Sequence, residues 1–257
     1  MNVRTTNTAA LLLSAALLVP GPAPADEWDS AAAGDVGVGT RNTLAHGAEQ
    51  VHDLQTLGTT LDEDWYRVTV RPMSSYEMVI DGQTGDVGLQ SADFQRVSQS
   101  GTVLQSASEH DLGFALRLRW SQDAAADTQL VRVRGAACGT ACTSTDRYRI
   151  RFRETTYTVP RFNNTSTQST VVFVQNLTAR ACNYTYYLLT DTGVITAGSG
   201  LSPFLVHRFD TSLVAPNRSG SIRIAQDCGY GAFAGKAVAV EPATGFTFDT
   251  PLRHRAN

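Results

Sequence analysis

Four segments of the chain alternate apolar and polar residues with a period of two. They are residues 65–71 (WYRVTVR), 116–120 (LRLRW), 131–134 (VRVR) and 147–153 (RYRIRFR). A period of two is that of a β-strand with one buried face. The pattern therefore predicts four strands whose arginines point away from the core.

Short runs of β-branched and aromatic residues continue the strand pattern through the second half of the chain. These predicted strands span residues 170–175, 184–190, 194–197, 204–210, 221–225 and 233–241. Gly, Asn, Asp and Ser separate them at roughly ten-residue intervals, as in antiparallel sandwiches. Helical periodicity is nearly absent, and its best candidate is residues 43–57, where Leu44, Val51 and Leu54 have loosely helical spacing but Gly47 and Gly58 limit any helix. The predicted fold class is all-β, with two antiparallel β-sandwich domains.

The N-terminus has the pattern of a secretory signal peptide. Arg4 precedes an apolar run at residues 9–19, and Ala23-Pro24-Ala25 follows it. A short basic start, an apolar run of this size and an A-x-A end predict cleavage after residue 25. The run is too short to cross a bilayer, and no later run is longer. We expect a mature chain of residues 26–257 that is secreted or held at the cell surface and does not span the membrane.

The four cysteines predict two disulfides. An even number of cysteines in an exported chain is typical of disulfide pairing, with three possible pairings. Proximity favours Cys138–Cys142, and elimination then leaves Cys182–Cys228. A zinc site is not expected, because no second cysteine pair or nearby histidine completes the ligand set.

Charge is unevenly distributed along the chain and supports a division into two domains. Residues 26–157 hold 19 acids and 12 arginines, a net charge of −7, whereas residues 158–257 hold 5 acids and 8 bases, a net charge of +3. Pro160 suits a strand edge or a boundary between the two parts. The predicted domains are residues 26–157 and 158–257.

The first predicted domain resembles a known bacterial module. Residues 61–68 (LDEDWYRV) are similar to the D-x-D-W-Y-x-F turn and strand of the bacterial pre-peptidase C-terminal domain, and Tyr148 matches the final tyrosine of that family. Thr128-Gln129-Leu130 departs from the family's penultimate strand, where Gly and an aromatic residue are usual. The resemblance implies a jelly-roll-like sandwich that is usually an appendage of secreted peptidases and other exported proteins.

The second predicted domain ends in a segment that also resembles a bacterial module. Residues 231–252 are similar to the end of an uncharacterised β-sandwich module of bacterial exported proteins. The resemblance implies an Ig-like sandwich and export, and it implies no activity.

No catalytic residue is predicted. Asp191-Thr192-Gly193 is similar to the aspartic-protease motif, but that chemistry needs a second such carboxylate, and an Asp-Thr-Gly between two strands is an ordinary hairpin turn. The sequence contains neither a G-x-S-x-G nucleophile elbow nor an H-E-x-x-H zinc motif. Histidines 46, 52, 110 and 254 are isolated in sequence, and we expect most of them at the surface.

Calcium is the one possible cofactor, because the sequence contains two clusters of acidic residues that could bind it. Asp62, Glu63 and Asp64 form an acidic turn, and acids at positions 26, 27, 29 and 35 form an acidic N-terminal arm. Clustered carboxylates suit calcium, but no D-x-D-x-D-G loop is present. Asp62 and Asp64 are the expected ligands if calcium binds, and a solvated acidic turn is the alternative.

The outward arginines suggest a polyanionic ligand. If the strands that carry them are neighbours, one sheet face holds a lattice of guanidinium groups, which bind carboxylate, sulfate and phosphate in bidentate fashion. The residues concerned are Arg117, Arg119, Arg132, Arg134, Arg147, Arg149, Arg151 and Arg153. The alternative is a solvated face whose arginines are opposed by nearby acids. Arginine is also the default cation of this chain, since 20 of its 21 basic residues are arginine.

These patterns predict an exported, non-catalytic binding or adhesion module for acidic polysaccharide or another polyanion. Nucleic acid is not an expected partner, because Trp65, Tyr66, Trp120, Tyr148 and Phe152 are predicted on the buried side, whereas single strands need exposed stacking platforms. The alternatives are an accessory subunit or appendage of a secreted hydrolase, a hydrolase without a local motif, and a structural subunit of a surface assembly.

Overall fold

The structure is a computed structural model that describes Asp26, Trp28 and residues 34–35, 37–55, 61–84, 94–107, 109–110, 115–135 and 142–255. Antiparallel strands make up nearly all of its regular structure, and no α-helix occurs among these residues. The fold is therefore all-β, as the alternating pattern predicts. No helix in the described part of the chain is long and apolar enough to cross a membrane. The predicted signal peptide at residues 1–25 lies outside the described residues.

Two sheets form the first sandwich. The first has the order β1-β9-β3-β7-β6 and the second the order β2-β8-β4-β5. The first sheet contains β1 (Glu49–Asp53), β3 (Ser74–Asp81), β6 (Glu109–His110), β7 (Leu116–Gln122) and β9 (Arg147–Glu154). The second contains β2 (Glu63–Val70), β4 (Phe94–Val97), β5 (Val103–Ser106) and β8 (Asp127–Arg134). All four arginine-bearing segments are strands, as predicted.

Two further sheets form the second sandwich, with the orders β13-β12-β15-β10-β18 and β14-β11-β16-β17. The first contains β10 (Tyr157–Asn163), β12 (Cys182–Thr190), β13 (Gly193–Leu201), β15 (Ser219–Gln226) and β18 (Arg253–His254). The second contains β11 (Ser169–Asn176), β14 (Val206–Asp210), β16 (Phe233–Glu241) and β17 (Phe246–Pro251). The six strands predicted in this half are all present.

Each pair of sheets encloses one large hydrophobic core. The first core joins residues of β2, β4 and β8 to residues of β3, β7 and β9, with Tyr66, Met78 and Phe152 among its large side chains. The second core includes Tyr157 and Phe162. Alternation explains the arrangement, since every second side chain of a strand faces the opposing sheet.

The one helical candidate, residues 43–57, contains no helix in its described part, residues 43–55. Glu49–Asp53 instead forms β1, which pairs with β9 from Glu49↔Arg151 to Asp53↔Arg147. Gly47, at φ 80°, turns the chain just before this strand. A free edge of β9 supplies backbone partners to β1, and tertiary pairing of this kind overrides a loose local helical spacing.

The structure bears out the hairpin reading of the Asp-Thr-Gly motif and one disulfide. Strands β12 and β13 pair from Cys182↔Leu201 to Thr190↔Gly193, which leaves Asp191 and Thr192 as the two turn residues. The Cys182–Cys228 disulfide is present. Cys142 is also disulfide-bonded, whereas Cys138, its predicted partner, lies outside the described residues.

Hydrogen bonds join the two sandwiches through buried polar groups. The Gln226 backbone N–H donates to Ser75 Oγ over 3.0 Å, and the Tyr230 N–H donates to Glu77 Oε2 over 3.1 Å. No sheet of the described residues takes strands from both sides of position 157. The predicted division at residues 157 and 158 stays a prediction, because these bonds also tie the two parts together.

Candidate functional site

Six of the eight predicted arginines lie on the outer face of one sheet. Arg117 and Arg119 are on β7, and Arg147, Arg149, Arg151 and Arg153 alternate along β9. Strand β3 lies between β7 and β9, so the two rows of arginine flank it. The sheet therefore brings this part of the predicted set together.

Strand β3 places acids between the two rows. Glu77 Oε1 accepts from Arg119 Nε over 2.8 Å and from Arg117 Nη1 over 3.2 Å. Asp81 accepts from Arg149 Nε over 2.8 Å and from Arg151 Nη2. Much of the guanidinium charge on this face is thus offset within the sheet. This matches the alternative of arginines opposed by nearby acids.

The other two predicted arginines, Arg132 and Arg134, do not lie on this face. Arg132 and Arg134 lie on β8 of the other sheet, within 3.7 and 3.9 Å of the Glu63 carboxylate. Arg147, which is on the first face at the start of β9, donates from Nε to the Ser144 carbonyl over 3.2 Å. The expectation of a single arginine face is wrong for Arg132 and Arg134, because β8 pairs with β2 and β4 rather than with β7 or β9.

Trp65 lies on the opposite face of its strand from the other aromatic residues that were predicted to be buried. Trp65 is buried, but it packs with Val97 and Leu130 in a small cluster of its own, outside the main core. The Arg132 guanidinium lies 5.3 Å from its ring centre, in cation–π geometry. Adjacent residues of a strand point to opposite faces, so Trp65 and Tyr66 do not share one face as predicted.

A cleft opens where the outer face of β7 meets the loop between β11 and β12. It has a volume of about 420 Å³, and we call it the arginine cleft. Its lining residues are Glu77, Arg117, Arg119, Thr178, Ala179, Arg180, Cys228 and Tyr230. Three guanidinium groups and one carboxylate, that of Glu77, are present among these described lining residues.

Arg180 and Tyr230 belong to the cleft, yet sequence reasoning missed both. Each lies two positions outside a half-cystine, Arg180 before Cys182 and Tyr230 after Cys228. The disulfide holds the two loops together with a Cα–Cα distance of 5.5 Å. The predicted pairing of Cys182 with Cys228 was therefore the signal that could have placed them in one site.

Tyr230 is fixed in place by its neighbours. Arg153 lies over its ring at 4.4 Å from the ring centre, and the ring of His254 stacks on it at 4.1 Å. The Glu77 carboxylate accepts from its backbone N–H. The loop after the disulfide is thus attached to the arginine-bearing sheet at one wall of the cleft.

A second group of polar residues surrounds His52 of β1 in the first sandwich. His52 is 1% exposed, so the prediction of a surface position is wrong for this histidine. Its Nδ1 lies 3.2 Å from Asp26 Oδ2, 3.5 Å from Asp64 Oδ1 and 3.9 Å from Asp35 Oδ2. The acidic arm predicted at the N-terminus thus meets the acidic turn at one buried imidazole.

Aromatic rings and carboxylates together determine the charge of His52. The imidazole ring stacks with Trp28 and with Tyr148, at centroid distances of 5.5 and 5.8 Å. Burial alone lowers the pKa of His52, but hydrogen bonds and charges from Asp26 and Asp64 outweigh burial and raise the pKa to about 9. His52 is therefore an imidazolium at neutral pH, and it neutralises part of the surrounding carboxylate charge.

The positive charge of protonated His52 lies next to Asp64, one of the two residues expected to bind calcium. Asp64, His52 and Asp26 have donor atoms within 4.8 Å of one another, and Asp62 is not part of that group. Calcium takes oxygen ligands, and a protonated imidazole cannot coordinate any metal. The donors around Asp64 fit an imidazolium better than a calcium ion. Calcium binding by Asp62 and Asp64 stays a prediction.

Comparison with known proteins adds no family. No protein-family model matches the chain, and no curated protein matches it. Among solved structures, it is similar to an exo-β-D-glucosaminidase CsxA at 13% identity and a TM-score of 0.20, over 73% of this chain and 25% of that one. The Amycolatopsis orientalis exo-chitosanase CsxA gives 12% identity and the same TM-score and coverage. The chain spans about a quarter of the length of these enzymes, and a TM-score this low identifies no shared function.

Proposed function

We propose that the chain is a non-catalytic binding module that attaches to an acidic polysaccharide or another polyanion through the arginine cleft. One observation carries the proposal: Arg117, Arg119 and Arg180 line a single cavity in which Glu77 is the one acid among the described lining residues. Guanidinium groups bind carboxylates, sulfates and phosphates with paired hydrogen bonds. Several anionic groups on one polymer could engage the cleft together.

The concave shape of the cleft is what favours it over the rest of the sheet face. Asp81 accepts from Arg149 and Arg151, Glu63 lies beside Arg132 and Arg134, and Glu77 accepts from Arg117 and Arg119 in the same way. An anion must compete with a carboxylate at each of these pairs, but only in the cleft do walls from two loops and a strand surround it.

Retention on heparin and acidic-glycan resins across a salt series tests the proposal. We expect the mature protein to be retained at low salt and to elute as salt screens the charges. Arg180→Ser should lower the salt concentration needed for elution, because Arg180 is an exposed wall of the cleft. The matched control is Arg149→Ser with Arg151→Ser, which removes two charges from the compensated face.

The outcomes separate three cases. Retention that Arg180→Ser weakens more than the double control supports the cleft. A larger effect of the double control would move the binding surface to the sheet face and overturn the assignment to the cleft. Passage of the parent protein straight through the resin at low salt would end the polyanion proposal.

We also propose export, on the strength of the predicted leader and the disulfide. Disulfides persist in oxidising compartments, and the Cys182–Cys228 bond closes a loop across a sequence separation of 46. Expression with the leader in a bacterial host, followed by N-terminal sequencing of the processed protein, tests this. A new N-terminus at Asp26 supports export, and an uncleaved chain that stays in the cytoplasm contradicts it.

A further inference from the structure

The second sandwich has an open edge that exposes two phenylalanines. Phe246 is 65% exposed and Phe248 is 60% exposed, and both lie on the edge strand β17. They alternate along the strand and so point to the same side. Two large aromatic side chains left in water on one face are a feature that needs an explanation.

This face of β17 is the inner face of the sandwich. Register pairs Thr250 with Ala237, which is 2% exposed and belongs to the second core. Cross-strand partners share a face, so the side of β17 that carries Thr250, Phe248 and Phe246 continues the core-facing side of β16. The phenylalanines therefore face the gap between the two sheets, beyond the point where the core ends.

Beneath the phenylalanines is a cavity of about 320 Å³, which we call the Phe cleft. Its floor is made of the small side chains Ala237 and Ala239, which leave room that a larger residue would fill. Its lining residues are Arg161, Asn163, Gln168, Thr170, Ala237, Ala239, Val240, Glu241, Phe246, Phe248 and Thr250. Small-molecule sites are concave and mostly apolar, with volumes from about 300 Å³ upward and a few placed polar groups.

A β-bulge directs one cation into the Phe cleft. Strand β10 pairs with β15 at Val159↔Ile222 and next at Phe162↔Gly220, so β10 has one extra residue between these pairs. Val159 and Phe162 are both buried as a result, and Arg161 lines the cleft. Bulges commonly re-aim a side chain next to a binding site.

The lining of the Phe cleft contains one cation and one anion, Arg161 and Glu241. Glu241 Oε1 accepts from Thr167 Oγ1 over 2.5 Å and from the Ala243 N–H over 3.2 Å, so neutral donors hold this carboxylate in place on the chain's own loop. Arg161 has no salt bridge or side-chain hydrogen bond among the described residues. We infer that the Phe cleft binds a small amphiphilic carboxylate, whose apolar body lies on Phe246 and Phe248 and whose anionic head pairs with Arg161.

Calorimetric titration of the mature protein with sodium octanoate tests this inference. We expect one octanoate per chain, and weaker binding of octanol and of octyltrimethylammonium, which share the chain but lack the anionic head. Arg161→Gln should weaken octanoate binding by about tenfold, because it removes a charge-assisted hydrogen bond. Arg208→Gln, which changes an exposed arginine on β14 outside the cleft, is the matched control and should leave binding unchanged.

A second variant tests the apolar part of the site. Ala239→Leu should fill the floor of the cleft and abolish octanoate binding, with circular dichroism confirming an intact fold. Arg161→Gln is a surface change and keeps the test valid if Ala239→Leu fails to fold.

Three results would overturn the inference. The first is the absence of octanoate binding at millimolar ligand. The second is equal binding by Arg161→Gln and by the parent, which would show partition onto apolar surface alone. The third is a concentration-dependent dimer that Phe248→Ser dissociates, with no octanoate binding, which would identify a second copy of the chain as the occupant. None of these bears on the arginine cleft, so the two proposals fail separately.

Discussion

The hydroxyl groups of Tyr66 and Tyr148 lie 2.5 Å apart inside the first core, although 82 positions separate the two residues in the sequence. Tyr148 also donates to Asp64 Oδ2 over 2.5 Å, so Tyr66 must be the donor to Tyr148. Asp64 in turn lies beside His52. A line of polar contacts therefore runs from β2 and β9 to β1, through two hydrogen bonds among hydroxyl and carboxylate groups and then an ion pair with His52.

Removal of the Tyr148 hydroxyl should cost more than removal of the Tyr66 hydroxyl. Tyr148→Phe leaves Asp64 Oδ2 without its tyrosine donor and the Tyr66 hydroxyl without an acceptor, and we expect a loss of about 3 kcal/mol in the free energy of unfolding. Tyr66→Phe removes one donor only and should cost about 1 kcal/mol. Urea denaturation of the two variants measures both values. Equal losses would show that the two hydroxyls are not arranged in this order.

Loss of the His52 side chain should destabilise the protein strongly. His52→Gln removes the cation that faces Asp26, Asp35 and Asp64, and a buried ion pair broken on one side costs about 3–5 kcal/mol. Val51→Thr is the matched control, since Val51 is the exposed neighbour on the same strand and should change stability by less than about 0.5 kcal/mol. Denaturant titration at neutral pH compares them. A His52→Gln variant as stable as the parent would contradict the buried imidazolium.

The stability of the protein should fall as pH rises through the alkaline range. The pKa of His52 is about 9 in the folded state, above its ordinary value of 6.5, so the folded state holds the proton more tightly than the unfolded state. The contribution is complete below about pH 6.5 and is lost as pH rises through about 9, for a total of about 3 kcal/mol. Denaturation midpoints measured from pH 6 to 9.5 test this, because the decline should be absent in His52→Gln. A parent profile that is flat or rises over this range would contradict the raised pKa.

The strands could be predicted from the sequence because their signal is local. Period-two alternation, as in β9, can be recognised in the sequence without knowing which strand pairs with it. The Asp-Thr-Gly segment likewise indicates a hairpin turn locally, because Gly193 adopts a positive φ. Strand β1 carries no such alternation. It is a strand because β9 offers it a free edge, and only the folded chain shows that edge.

The candidate sites could be predicted only in part, because strand order decides them. Arg119 and Arg132 have the same local pattern, yet they lie in different sheets. Glu77 compensates Arg119 only because β3 lies between β7 and β9. His52 was misplaced for the same reason, since its three carboxylates come from separate segments on both sides of it in the sequence. Contacts between separate segments are properties of the fold rather than of any short window of residues.

Calcium should leave the thermal stability of the protein unchanged at neutral pH. The imidazolium of His52 already faces the Asp64 carboxylate, and calcium would have to displace its proton to take that place. Melting of the mature protein with calcium and with a chelator, at one ionic strength, measures this. A rise of about 5 °C or more would show a bound ion that stabilises the folded state. If Asp62→Asn then removed that rise, the prediction that Asp62 and Asp64 bind calcium would hold. The acidic turn would then bind calcium in addition to facing the His52 imidazolium.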